Sequence, residues 1–74
     1  MHIDIYPNPS NGKFTINSNK IRQIEIIDAM GKTILMSDIL YQTLNINLCN
    51  KPKGIYFIRI LTKENITTKK ITVK

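Results

Sequence analysis

The chain of 74 residues contains no tryptophan, one cysteine and one histidine, and only five of its side chains are acidic. Each scarcity removes a class of explanation. A lone Cys49 closes no internal disulfide, so nothing covalent staples a domain near the size at which a single core only marginally offsets chain entropy. His2, beside the N-terminus and without a second histidine, cannot by itself anchor a zinc site or act as an organised general base. The carboxylates Asp4, Glu25, Asp28, Asp38 and Glu64 are scattered, with Asp28 and Glu64 in turn-like contexts and Glu25 at an outward strand position. No catalytic pair is legible among them, and no cofactor or metal is implied. No run approaches the roughly 20 apolar residues of a membrane span, and the N-terminus has no basic segment leading into an apolar one. Membrane insertion and a signal peptide within this segment are therefore not expected.

What is present is the balance of a folded module, 42% hydrophobic and 22% charged residues. The net charge of +6 invites an anionic partner. However, Lys13, Lys20, Lys32, Lys51, Lys53 and Lys63 fall at expected turns or strand ends, where lysine is the ordinary solvated residue and a guard against edge pairing. Only Lys69, Lys70 and Lys74 cluster along the chain, so a solvated surface is expected and no specific nucleic-acid partner.

The longest apolar run, Gly54 to Leu61, reads as the central strand. Breakers bound it on both sides, and β-branched and aromatic residues fill it. Alternation puts Tyr56, Ile58 and Ile60 on one face and Ile55, Phe57, Arg59 and Leu61 on the other, wetter one. Upstream, Ile3 to Tyr6 alternates until Pro7-Asn8-Pro9-Ser10-Asn11-Gly12 breaks it. The two prolines remove backbone donors, so this segment is not expected to form a ladder, and Gly12 supplies positive φ. Lys13 to Ile16 is a second strand, Asn17-Ser18-Asn19 a loop, and a third strand runs to Asp28. Asp28-Ala29-Met30-Gly31 has the residues of a type I turn, and Lys32 to Met36 completes a hairpin. Ser37 to Leu40 is assigned to a connection. Leu44, Ile46 and Leu48 alternate with Thr43, Asn45 and Asn47, and after a Lys63-Glu64-Asn65 loop the strand Ile66 to Val73 ends the chain.

About seven short strands with no helical stripe predict an all-β fold, a small two-sheet antiparallel sandwich of immunoglobulin-like type with Greek-key connections. Its expected core is Ile5, Phe14, Ile16, Ile24, Ile26, Ile34, Leu44, Ile46, Tyr56, Ile58, Ile60 and Ile71. Tyr6, Tyr41, Tyr56, Phe14 and Phe57 could form a stacking platform for sugars or bases. With Phe14 and Tyr56 on core faces and no tryptophan, core packing is the expected role of the set. Cys49 is expected to be a small, partly buried apolar residue. Asn65-Ile66-Thr67 matches a glycosylation acceptor, a signal common by chance.

Four stretches together resemble one family: Tyr6-Pro7-Asn8-Pro9-Ser10-Asn11-Gly12, Ile26 to Lys32, Pro52 to Ile60 and Lys69 to Lys74. It is the type A C-terminal sorting domain of the type IX (Por) secretion system of the Bacteroidota. The positions that match are Pro7, Asn8, Pro9 and Gly12 in the first motif, Gly54 and Tyr56 in the second, and Lys70, Ile71, Val73 and Lys74 in the last. Thr72 departs from the family, where an apolar residue is usual. The resemblance implies a seven-stranded, non-enzymatic label covering residues 1–74, the C-terminal piece of a longer secreted protein with an N-terminal cargo domain. It implies passage through the periplasm, recognition by an outer-membrane translocon, and removal by a sortase-like peptidase, with the cargo secreted or held on the cell surface. The chain-terminal strand would offer an edge that a partner could extend. Two other classes compete: a stand-alone β-sandwich binding or adhesion module for carbohydrate or protein, and a small basic nucleic-acid binder.

Overall fold

The computed structural model describes residues 3–18, 21–38 and 43–74. Among these residues the chain forms seven strands and no helix: β1 (Ile3–Tyr6), β2 (Lys13–Ser18), β3 (Ile21–Asp28), β4 (Thr33–Asp38), β5 (Thr43–Asn47), β6 (Gly54–Thr62) and β7 (Ile66–Val73). They make two antiparallel sheets, one of three strands in the order β1-β2-β5 and one of four in the order β4-β3-β6-β7. The pairings β2·β5 and β3·β6 join strands distant in sequence. The chain therefore crosses between sheets three times, the Greek-key route of an immunoglobulin-like sandwich.

β6 follows its alternation residue by residue. Tyr56, Ile58, Ile60 and Thr62 are buried, while Ile55, Phe57, Arg59 and Leu61 are exposed. Opposite it, Ile24 pairs with Ile60 and Ile26 with Ile58, and none of the four retains any solvent exposure. Full burial of each such side chain contributes on the order of 1.5–3 kcal/mol. On the other sheet Phe14 faces Ile46, and Ile16 lies one step along. Ile71 is buried, as expected. Ile5, Ile34 and Leu44 are only half-buried, because they sit on the edge strands β1, β4 and β5, where one flank is open. Ile21, Leu48 and Val73 complete the core.

Two boundaries differ from the sequence reading. Asn17 and Ser18 are not loop but the end of β2, because each finds a partner in β1 and Asn17 also pairs with Thr43 of β5. Ladder bonds on both sides override weak strand propensity. Ser37 and Asp38 likewise extend β4, opposite Ile24 and Gln23 of β3. The expected β3–β4 turn forms: the Gly31 amide donates to the Asp28 carbonyl at 3.0 Å, and Asp28 Oδ1 accepts from the amides of Met30 and Lys32 at 2.9 Å each. On the outer face Arg59 meets Glu25 at 3.2 Å, and Thr33 also donates to Glu25. This exposed pair is worth about 0–1 kcal/mol.

Because neighbouring strands run in opposite directions, the β1–β2, β3–β4 and β5–β6 connections and the end of β7 share one end of the sandwich. Ile3, paired with Ser18, lies at the other. Tyr56 anchors the first end. Its ring is buried and its hydroxyl donates to the carbonyl of Pro52. Tyr56→Ala should therefore destabilise by about 3–5 kcal/mol, whereas Tyr56→Phe, which loses only the hydrogen bond, should cost about 1 kcal/mol. Chemical denaturation of the two variants distinguishes ring from hydroxyl, and a loss under about 1 kcal/mol for Tyr56→Ala would contradict its burial.

Candidate functional site

The four stretches picked out in the sequence meet at that end. In the β6·β7 ladder Gly54 lies opposite Val73 and Tyr56 opposite Ile71, so the second and last motifs are cross-strand partners. Gly54 has φ of +140°, a conformation other residues reach only under strain. The Asp28 turn adjoins them through the Asp28–Tyr56 pairing.

The first motif closes the arrangement. Pro7 and Pro9 stop β1, and the residues between and after them turn to β7. Asn8 Nδ2 donates to the Lys70 carbonyl at 3.0 Å and Asn8 Oδ1 accepts from the Thr72 amide at 3.2 Å. One carboxamide thus stands in for the donor and acceptor of a neighbouring strand. Ser10 continues the pairing with its backbone: its amide donates to the Thr72 carbonyl at 2.9 Å, and the Lys74 amide donates to its carbonyl at 2.8 Å. The segment expected to form no ladder therefore makes a single parallel bridge, Ser10 to Val73.

The turn after Ser10 reaches the other sheet. The Gly12 amide donates to Ser10 Oγ at 2.8 Å, and the Gly12 carbonyl accepts from the Leu48 amide at 2.6 Å. Gly12 has φ of +116°, and a Cβ there would come within 3.0 Å of Cys49 Sγ and 3.1 Å of the Cys49 backbone. Glycine is required on both counts. Cys49 itself is exposed, contrary to the partly buried position expected, because β5 ends at Asn47. Leu48 turns inward there, leaving Cys49 in a turn held by Asn47 Oδ1 at 2.9 Å.

The clamp settles which part of the β7 edge is open. Lys70 O, Thr72 N and O, and Lys74 N all point away from β6 and are occupied. By the alternation of an antiparallel strand, the backbone groups of Ile66 and Thr68 point the same way. No strand among the described residues pairs with them. The free edge is therefore the first half of β7, not the Lys70–Lys74 end. Since the clamp uses Thr72 only through its backbone, it does not depend on which side chain stands there. Lys69, Lys70 and Lys74 are exposed. Of the five aromatic side chains, Phe14 and Tyr56 are buried. Tyr6 and Phe57 are exposed at 51% and 36%, since each lies on the outer face of its sheet, and Tyr41 and His2 lie outside the described residues. Among the described residues no group of three His, Cys, Asp or Glu could hold a metal ion.

The family model described as "Secretion system C-terminal sorting domain" matches residues 4–74. The chain belongs to this family of type IX sorting domains. No curated protein matches the chain. As a type IX sorting domain it is a non-catalytic C-terminal secretion signal, directing export to the outer membrane or beyond. The match spans the clamp, the hairpin turn and the β6·β7 pair that the geometry brings together. Sequence reading found these residues by resemblance. It missed Ser10 as a clamp residue, because a buried serine bonding through its backbone leaves no compositional signal.

Two substitutions test the clamp of the sorting domain. Asn8→Ala should cost about 1–2 kcal/mol, the net value of two hydrogen bonds at an exposed site. Gly12→Ala should cost about 2–4 kcal/mol from backbone strain and crowding. Urea unfolding midpoints check both, and near-neutral Gly12→Ala would contradict the close approach of Cys49. In a duplex-DNA titration at physiological salt the domain should bind weakly and without sequence preference. Sequence-specific affinity tighter than about 10⁻⁸ M would place it among the nucleic-acid binders instead.

Proposed function

We propose that this sorting domain is the C-terminal label of a longer secreted protein, read as a folded and transferable module. In this reading an N-terminal signal takes the cargo to the periplasm and the outer-membrane translocon recognises the label. A sortase-like peptidase then removes it, leaving the cargo free or joined to an anionic lipopolysaccharide. The observation that carries the reading is the family match over residues 4–74. The convergence of Pro7, Asn8, Pro9 and Gly12 with Gly54, Tyr56, Ile71 and Val73 at one end of the sandwich supports it. Residues far apart in sequence are there tied into one end of the fold, at which Pro7, Asn8, Pro9, Lys70 and Lys74 are exposed.

Much of that motif set is also structural. The glycines, Tyr56, Ile71 and Val73 hold the fold, so lost export on mutating them would report on folding as much as on recognition. Lys70 and Lys74 are different. Their side chains are exposed, and the clamp uses only their backbone, so glutamine at both positions should change stability by no more than about 0.5 kcal/mol.

Fused to the C-terminus of a reporter carrying an N-terminal signal peptide, in a host with a type IX system, the chain should place the reporter outside the outer membrane. Removing Lys70 to Lys74 should leave it in the periplasm, since this takes away the carbonyl Asn8 binds together with Ile71 and Val73. Lys70→Gln with Lys74→Gln isolates recognition: reduced export from a domain of unchanged melting behaviour assigns those side chains to the translocon contact. If the intact fusion stays periplasmic while an authentic sorting domain exports the same reporter, the proposal fails.

A further inference from the structure

Lysines dispersed along the sequence gather in space. Lys13 opens β2, Lys32 follows the β3–β4 turn, Lys51 and Lys53 lie in the β5–β6 connection and Lys74 follows β7. All of these positions belong to the same end of the sandwich, and all five side chains are exposed. Asp28 is the only acidic side chain there among the described residues, and one of its carboxylate oxygens already accepts two backbone amides. Asp4, Asp38 and Glu64 belong to the opposite end, and Glu25 is paired with Arg59 on the outer face. The charge of +6 is thus polarised along the molecule.

This basic end also carries apolar side chains with nothing over them. Met30, at the tip of the β3–β4 hairpin, is 94% exposed, and Ile55 is 42% exposed. Met30, Ile55, Pro52, Lys51 and Lys53 line a single open cleft, so the apolar and basic groups are neighbours. A soluble polyanion would satisfy the lysines and leave Met30 in water. An anionic bilayer surface satisfies both, because its headgroups pair with the lysines while an unbranched, flexible methionine enters the interface. The opposite end, where Ile3 of β1 pairs with Ser18, faces away from such a surface.

We propose that the motif-bearing end of the sandwich docks peripherally on an anionic lipid surface, through Lys32, Lys51 and Lys53 around the inserted Met30. The docking is superficial and reversible, since the contact rests on a few side chains at the tips of two connections. It is independent of whether the domain directs export.

The test is co-sedimentation of the 74-residue chain, which closes its own core, with vesicles of phosphatidylcholine alone or mixed with phosphatidylglycerol. Binding should appear only with the anionic lipid and weaken steeply as salt is raised. Lys51→Gln with Lys53→Gln should weaken it by at least about tenfold, and Lys63→Gln, at the other end, by less than about threefold. Met30→Ser should weaken it severalfold without moving the melting temperature, a change that a purely electrostatic contact would not show. Equal binding to neutral vesicles, no binding to anionic ones, indifference to Met30→Ser, or displacement by duplex DNA at equal charge concentration would each overturn the proposal.

Discussion

Four isoleucines meet where β3 crosses β6, Ile24 against Ile60 and Ile26 against Ile58, and none of them touches water. With no disulfide and a chain this short, that apolar ladder is what holds the central strand pair of the larger sheet in register. A slip of β6 by one residue would turn Ile58 and Ile60 away from the core and bring Phe57 and Arg59 into it. The rest follows from it. β7 can place Ile71 against Tyr56 only because β6 is held from its other side, and β2 packs Phe14 and Ile16 into the same interior.

A sandwich built this way must still manage its edges. The C-terminal half of β7 is covered by a segment that is not a strand at all, in which a carboxamide and one serine backbone replace the ladder a neighbouring strand would make. Prolines on either side of Asn8 keep β1 from running on and taking up that segment. The same loop ties Gly12 to Leu48, so one short stretch links the edge of the larger sheet to the end of the smaller one. The Pro7–Gly12 stretch and the end of β7 are thereby two halves of one contact, and β6 is the strand on which that contact rests.

The two ends of the molecule are chemically unlike. Alternating strand direction sends every second connection to the same place, so turns that carry one or two lysines each become a basic surface around the clamp. Nothing in the spacing of those lysines announces it, because the period involved is that of the strands and not of the residues.

Alternation in Gly54–Leu61, Thr43–Leu48 and Lys13–Ile16 determined from the sequence alone which side chains face inward, since the two-residue period of a strand is a local property. The Asp28–Gly31 turn and the break at Pro7–Gly12 were legible for the same reason: turn chemistry acts over a few residues. The exposure of Cys49 and the extension of β2 through Ser18 were not, because each depends on what the neighbouring strand offers at that point. Above all, the reach of Asn8 to Lys70 and Thr72 was decided only by the tertiary structure. A side chain that can both donate and accept is compatible with many partners, and the choice between them is made by which backbone the folded sheets bring within about 3 Å.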